Sequence, residues 1–159
     1  SGKELSYFDD ETKEKYIPYV VEPAMGVERA FMVAFFEAYQ EEKVKNEKRV
    51  VLKFPKALAP IKAAVLPLLR NRPEIVEMAK GLLRDLKRHL VAVYDDTGAI
   101  GRLYRRQDEI GTLWCITVDV QSLEDKQVTI RDRDTMEQVR VPIEKVRELL
   151  LNRLADEGA

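Results

Sequence analysis

With 159 residues, 45% of them hydrophobic, the chain has material for one ordinary domain with a real core, or for one domain plus a fragment. Its 27 lysines and arginines nearly cancel its 28 aspartates and glutamates, so the chain as a whole is no polycation and any nucleic-acid surface must be local. One cysteine excludes an internal disulfide, no apolar run approaches the ~20 residues of a membrane span, and the N-terminal SGKELSYFDDETKEKY has no signal core; the expected location is the cytoplasm.

Residues 1–16 are polar and acidic, and YIPYVVEP then reads as a short strand ended by Pro23. Gly26 precedes a predicted helix over 27–40. Its Val27, Ala30, Phe31, Met32, Val33, Ala34, Phe35 and Phe36 point in every direction, which predicts burial on all sides, with Glu28 and Arg29 in the first turn. QEEKVKNEKR lacks a strong period and reads as a linker, which places a domain boundary between 1–45 and 46–159. IKAAVLPLL has the continuous apolar character of a buried strand. RPEIVEMAKGLLRDLKRHL is amphipathic, with Ile75, Ala79, Leu82, Leu83, Leu86 and Leu90 on one stripe, and VAVYDD is the next strand. Together they form a β-α-β unit, which crosses over right-handed. AIGRLYRRQDEIG reads as a helix closed by Gly111, TLWCITVDV as a central strand, and QVTIRDRDT with EQVRVP as a hairpin. IEKVRELLLNRLA is the last helix. The fold class is α/β: a mixed five-stranded sheet flanked by about three helices, preceded by a strand-helix segment.

Self-contained catalytic machinery is not visible. His89 ends an amphipathic helix, where a helix-terminal charge is the simplest role, and Cys115 falls in a central strand. No Cys/His cluster has metal-ligand spacing, and RNRPE rather than a glycine-rich loop follows the first strand of the β-α-β unit. Two features remain. If the hairpin turns at DTME, Arg133 faces Gln138 and Arg131 faces Arg140 on a solvated face. Opposed like charges point to an anionic partner, or Asp132, Asp134 and Glu137 neutralise them. In GRLYRRQDEIG, Arg102, Arg105 and Arg106 crowd one helix with Tyr104, a combination that suits phosphate contact and base stacking but equally a solvated helix face.

YIPYVVEPAMGVERAFMVAFFEAY resembles motif 3 of the class II aminoacyl-tRNA synthetases, in the form found in dimeric glycyl-tRNA synthetases. LAPIKAAVLPLL, YDDTGAIGRLYRRQDEIGTLWCITVD and VTIRDRDTMEQVRVP are similar to that family's C-terminal anticodon-binding domain. The resemblance implies that Arg29 holds ATP phosphates and that Glu22 helps recognise the ammonium of glycine, although Ala24 stands where several glycine enzymes carry serine. It also implies tRNA contacts by Arg105, Arg106, Gln107, Arg131, Arg133 and Arg140. Motifs 1 and 2 are absent, so the resemblance is to the C-terminal part of a longer enzyme: the end of the catalytic domain over 1–45, then the anticodon-binding domain over 46–159. The implied parent ligates glycine to tRNA(Gly) with ATP and Mg2+, as a homodimer with no membrane or DNA partner. The isolated chain is expected to be inactive and to need no cofactor. The alternative is a non-catalytic, synthetase-like accessory module that binds RNA or protein.

Overall fold

The computed structural model describes residues 2–44 and 46–156. Strands β1 (Tyr7–Phe8) and β2 (Lys15–Tyr16) form a two-residue antiparallel ribbon, held by an edge-on Tyr7–Tyr16 contact with ring centroids 5.9 Å apart. The following Ile17–Pro23, expected as a strand, joins no sheet. Pro18 and Pro23 each lack an N–H donor, and Tyr19, Val20 and Val21 stand in solvent.

Helix α1 (Val27–Ala38) forms as the sequence predicts, but its expected burial does not follow. Phe31, Met32, Val33 and Phe36 are more than half exposed, and Ala38 is its one buried residue. A helix apolar all round needs partners all round; here contact is made near its C-terminal end, where Phe35 meets Phe54 edge-on at 6.1 Å. Helix α1 passes directly into β3 (Tyr39–Val44), which pairs antiparallel with β4 (Glu47–Leu52). The run read as a linker is therefore a hairpin, turning at Asn46 with φ 65°. Its strand period is masked because the inward residues of β4 begin with an arginine: Arg49 and Val51 are both fully buried.

The remaining chain builds the mixed five-stranded sheet. Its strands are β5 (Ala63–Pro67), β6 (Ala92–Tyr94), β7 (Trp114–Val118), β8 (Gln127–Asp132) and β9 (Gln138–Pro142), in the order β6-β5-β7-β8-β9. β5 runs parallel to β6 and β7, and the other two pairs are antiparallel. Helix α2 (Pro73–Leu86) carries the chain from β5 to β6 on one side, and α3 (Ile100–Glu109) carries it back across β5 to β7. Right-handed crossovers in opposite directions put the two helices on opposite faces. Ile75, Ala79, Leu82 and Leu86 of α2 accordingly pack on Ala63, Val65 and Ile116, together with Val146 and Leu150 of α5 (Val146–Ala155). Leu103 of α3 packs on Ala64, Leu66 and Cys115 of the other face.

The short helix α4 (Gln121–Asp125) escapes the sequence reading because its five residues show no period; Asp119 and Ser122 start it, the Ser122 N–H donating to Asp119 Oδ1 at 2.9 Å. Gly111 ends α3 at φ +79°, with β4 so near that a Cβ would lie 2.8 Å from Phe54 Cδ2 and 2.9 Å from Leu52 O. The β8–β9 register differs from expectation by two residues: Arg131 pairs with Gln138, and Thr129 with Arg140. The chain turns earlier because Asp132 closes it, its N–H donating to Glu137 O and its carboxylate accepting from the N–H groups of Asp134 and Thr135. No arginine therefore opposes another across this hairpin. Among the described residues, no helix is long and apolar enough to cross a membrane.

Candidate nucleic-acid interface

Helix α3 does not cover the whole of its side of the sheet. Two registers run across β7, β8 and β9 on that face: Thr117, Thr129 and Arg140 in one, Cys115, Arg131 and Gln138 in the other. Tyr104 reaches down from α3, its hydroxyl 2.6 Å from Thr117 Oγ1, and the Arg131 guanidinium lies 5.0 Å from the centroid of its ring. Thr117 and Arg131 are buried, which leaves the half-buried Tyr104 ring, Thr129 and the fixed Arg140 guanidinium as the groups of this face that can meet a base.

The charges beneath this face are mostly satisfied from within. Arg131, 5% exposed, donates from both terminal nitrogens to Asp108 at 2.8 and 3.1 Å. Asp108 also accepts from Arg49 Nε at 2.8 Å, and Arg49 reaches on to Glu42 and to the Arg133 carbonyl. Burial alone would raise the Asp108 pKa, but the hydrogen bonds and charges of Arg49 and Arg131 outweigh it and hold the carboxyl below its ordinary value. Arg133, 4% exposed, engages all five N–H donors: the carbonyls of Leu52, Gly111 and Phe54, and both oxygens of Asp134. Gln107 is also interior, accepting from the Thr112 hydroxyl at 2.7 Å. The solvated face expected around Arg131 and Arg133 is thus corrected: both side chains point into the fold, where alternating position along a strand says nothing about what packs above it.

The other basic residues lie at the surface. Arg140 is clamped by Asp119 at 2.8 and 3.2 Å and by Asp125 at 3.0 and 3.1 Å, yet keeps about a quarter of its side chain exposed. Its bonds hold the Asp119 carboxyl below its usual range, aided by Ser122, against a smaller cost of burial. Arg106 is bound to Asp95 at 3.0 Å. Arg105 is a third exposed, and its nearest carboxylates are only at 3.8 Å (Asp108) and 4.0 Å (Glu47). The sequence reading missed Arg49, Asp108, Asp119 and Asp125. Asp108 stands three residues after Arg105, an i,i+3 spacing that could have marked it; Arg49 had no local signal.

Glu22 and Arg29 lie apart from this face in sequence and in setting. Glu22 is exposed in the extended segment before α1, and Arg29 borders an apolar groove with Met25, Ala30, Val33 and Ala34. Among the described residues, no group of three or more His, Cys, Asp and Glu side chains is arranged to hold a metal ion.

Residues 62–153, from the entry to β5 through most of α5, match the family described as "Anticodon binding domain". Over 97% of its length the chain is 52% identical to a protein of Corynebacterium efficiens named glycine–tRNA ligase, and 50% identical over 97% to one of that name in Streptomyces coelicolor. A Bacillus cereus protein of the same name is 47% identical over 94% of the chain. The chain spans about a third of these relatives: 34%, 34% and 32% of their lengths.

Proposed function

The chain belongs to the anticodon binding domain family, and from that premise we propose that it is the tRNA-anticodon-binding part of a glycyl-tRNA synthetase. The carrying observation is that about half of all positions are identical to proteins named glycine–tRNA ligase across nearly the whole chain, the α1 segment and the five-stranded domain alike. The parent would join glycine to tRNA(Gly) at the expense of ATP with Mg2+, as a cytoplasmic homodimer.

In this reading the anticodon stem-loop lies across the α3 face. Arg105 and Arg106 approach it from the helix, and Arg140 from β9, with Tyr104 and Thr129 between. Arg140 has its N–H donors engaged by Asp119, Asp125 and Thr129, so it offers an incoming base the flat face of a fixed guanidinium to stack on, with little loss of rotamer freedom. Arg131, Gln107 and Arg133 serve from below. Arg131 holds the Tyr104 ring from beneath, Gln107 secures the end of α3, and Arg133 ties the β8–β9 turn to β4.

Glu22 and Arg29 would meet the glycine ammonium and the ATP phosphates in the parent. The groove at Arg29 is otherwise lined by apolar side chains, and a polyphosphate needs several donors at once. These residues alone do not make a nucleotide cradle, and no chemical step is assigned to them.

The test is filter binding of the chain to tRNA(Gly) and to the same tRNA with its anticodon exchanged. The expected result is tighter binding of the first, lost in Arg140→Ala, at about 1–3 kcal/mol for a lost base contact. Equal binding of the two tRNAs by the wild-type chain would overturn the reading.

A further inference from the structure

The parallel strands β5 and β6 end in an open cleft of about 590 Å³, bounded by Pro67–Asn71, Asp96–Ala99 and Arg102. Arg70 and Arg102 line it, and Arg72 follows two residues later at the start of α2; all three are exposed. Their bonding differs from that of the neighbouring arginines. Arg106 is held by Asp95, Arg131 by Asp108, and Arg140 by two carboxylates. Among the described residues, the side chains of Arg70, Arg72 and Arg102 make no ion pair or hydrogen bond, although the backbones of Arg72 and Arg102 are bonded in their turns. The lining holds one carboxylate, Asp96, which accepts the Tyr94 hydroxyl at 2.9 Å, so the local balance stays positive. Arg102 also borders the adjoining depression formed with Tyr104, Arg105, Arg131 and Gln138, so the cleft runs on from the α3 face.

Guanidiniums left unpaired beside one another repel, and a phosphate answers their planar fork. We propose that Arg70, Arg72 and Arg102 form a phosphate track for the RNA backbone, which leaves the α3 face over Arg102 and enters the cleft. The proposal rests on the RNA-binding reading above and adds a division of labour. Groups around Tyr104 and Arg140 meet bases and set preference, while the cleft meets phosphates and sets affinity without regard to sequence.

The experiment uses the whole chain and two RNA hairpins: the tRNA(Gly) anticodon stem-loop and the same stem with another loop. Binding is measured across a range of salt for wild type and for the combined Arg70→Gln, Arg72→Gln and Arg102→Gln variant. The slope of log K against log salt should fall by about 0.7–0.9 per arginine, about two to three in all. The affinity ratio between the hairpins should hold, and the corresponding lysine variant should recover the slope. Should the triple variant melt below wild type, the three single Gln variants give the same reading, each shifting the slope by about one. An unchanged slope, with wild type still preferring the glycine hairpin, overturns the track and leaves the anticodon reading standing. So does a changed ratio at constant slope, which would make these residues base readers. Wild type binding both hairpins equally, or neither, overturns the anticodon reading and the track with it.

Discussion

Asp108→Asn would leave the guanidiniums of Arg49 and Arg131 buried against a neutral amide. Breaking a buried pair in this way costs about 3–5 kcal/mol, which urea unfolding of the variant should show. Arg131→Ala should also lose stability, but less than Asp108→Asn, since Arg49 still pairs the carboxylate while two hydrogen bonds and the support of Tyr104 are removed. Arg105→Ala, whose contacts are long and exposed, should stay within about 0.5 kcal/mol. A pH series adds a sign. Because the Asp108 pKa is lowered from 3.8 in the folded state, its stabilisation is complete above that value and is lost as pH falls through the folded pKa. The wild type should therefore weaken more steeply below 3.8 than the Asn variant. Cys115 gives an independent check. Burial pushes its thiol up to about 12, so a thiol reagent at pH 8 should label it only when the chain unfolds. At this scale the sequence singled out some of the arginines, passed over Arg49, and showed none of their partners. Arg131 and Arg133 stood out by position, whereas their partners lie 23 residues away at Asp108 and 79–81 away at Phe54 and Leu52.

At the scale of elements, periodicity found every strand of the main sheet and its long helices, because those segments bury one clean face or both. It failed where a strand hides a charge or lacks a neighbour. The β3–β4 hairpin turned an arginine inward, and Ile17–Pro23 had the composition of a strand without a sheet to join. Helix α1 inverts its own prediction: the composition demanded burial, and the surroundings withhold it. An exposed helix of 12 residues has little intrinsic stability. Amides in Val27–Phe36 should therefore exchange through local opening near zero free energy, while those of Trp114–Val118 exchange only with global unfolding. Equal protection of the two in a verified monomer would contradict this. Gly111→Ala tests the other end of the hairpin contact. The left-handed backbone alone costs about 1–2 kcal/mol, and the close approach of Phe54 and Leu52 adds to it, so the melting temperature should fall.

For the molecule as a whole, the near-zero net charge conceals a strong sorting. Acid and base cancel inside and around the α3 face, while unpaired arginines collect at the ends of β5 and β6. One joint decides how the parts move together. Tyr39 is both the cap of α1 and the first residue of β3, so no swivel separates helix from hairpin. The hairpin is in turn bolted to α3 and the β8–β9 turn through Arg49 and Arg133. While α1 stays folded, torque applied to it is thus passed through the hairpin to the carboxylate behind Tyr104. Residues 17–26 are extended and join no strand, so anything attached ahead of them can rotate there before its motion reaches α1 and the α3 face.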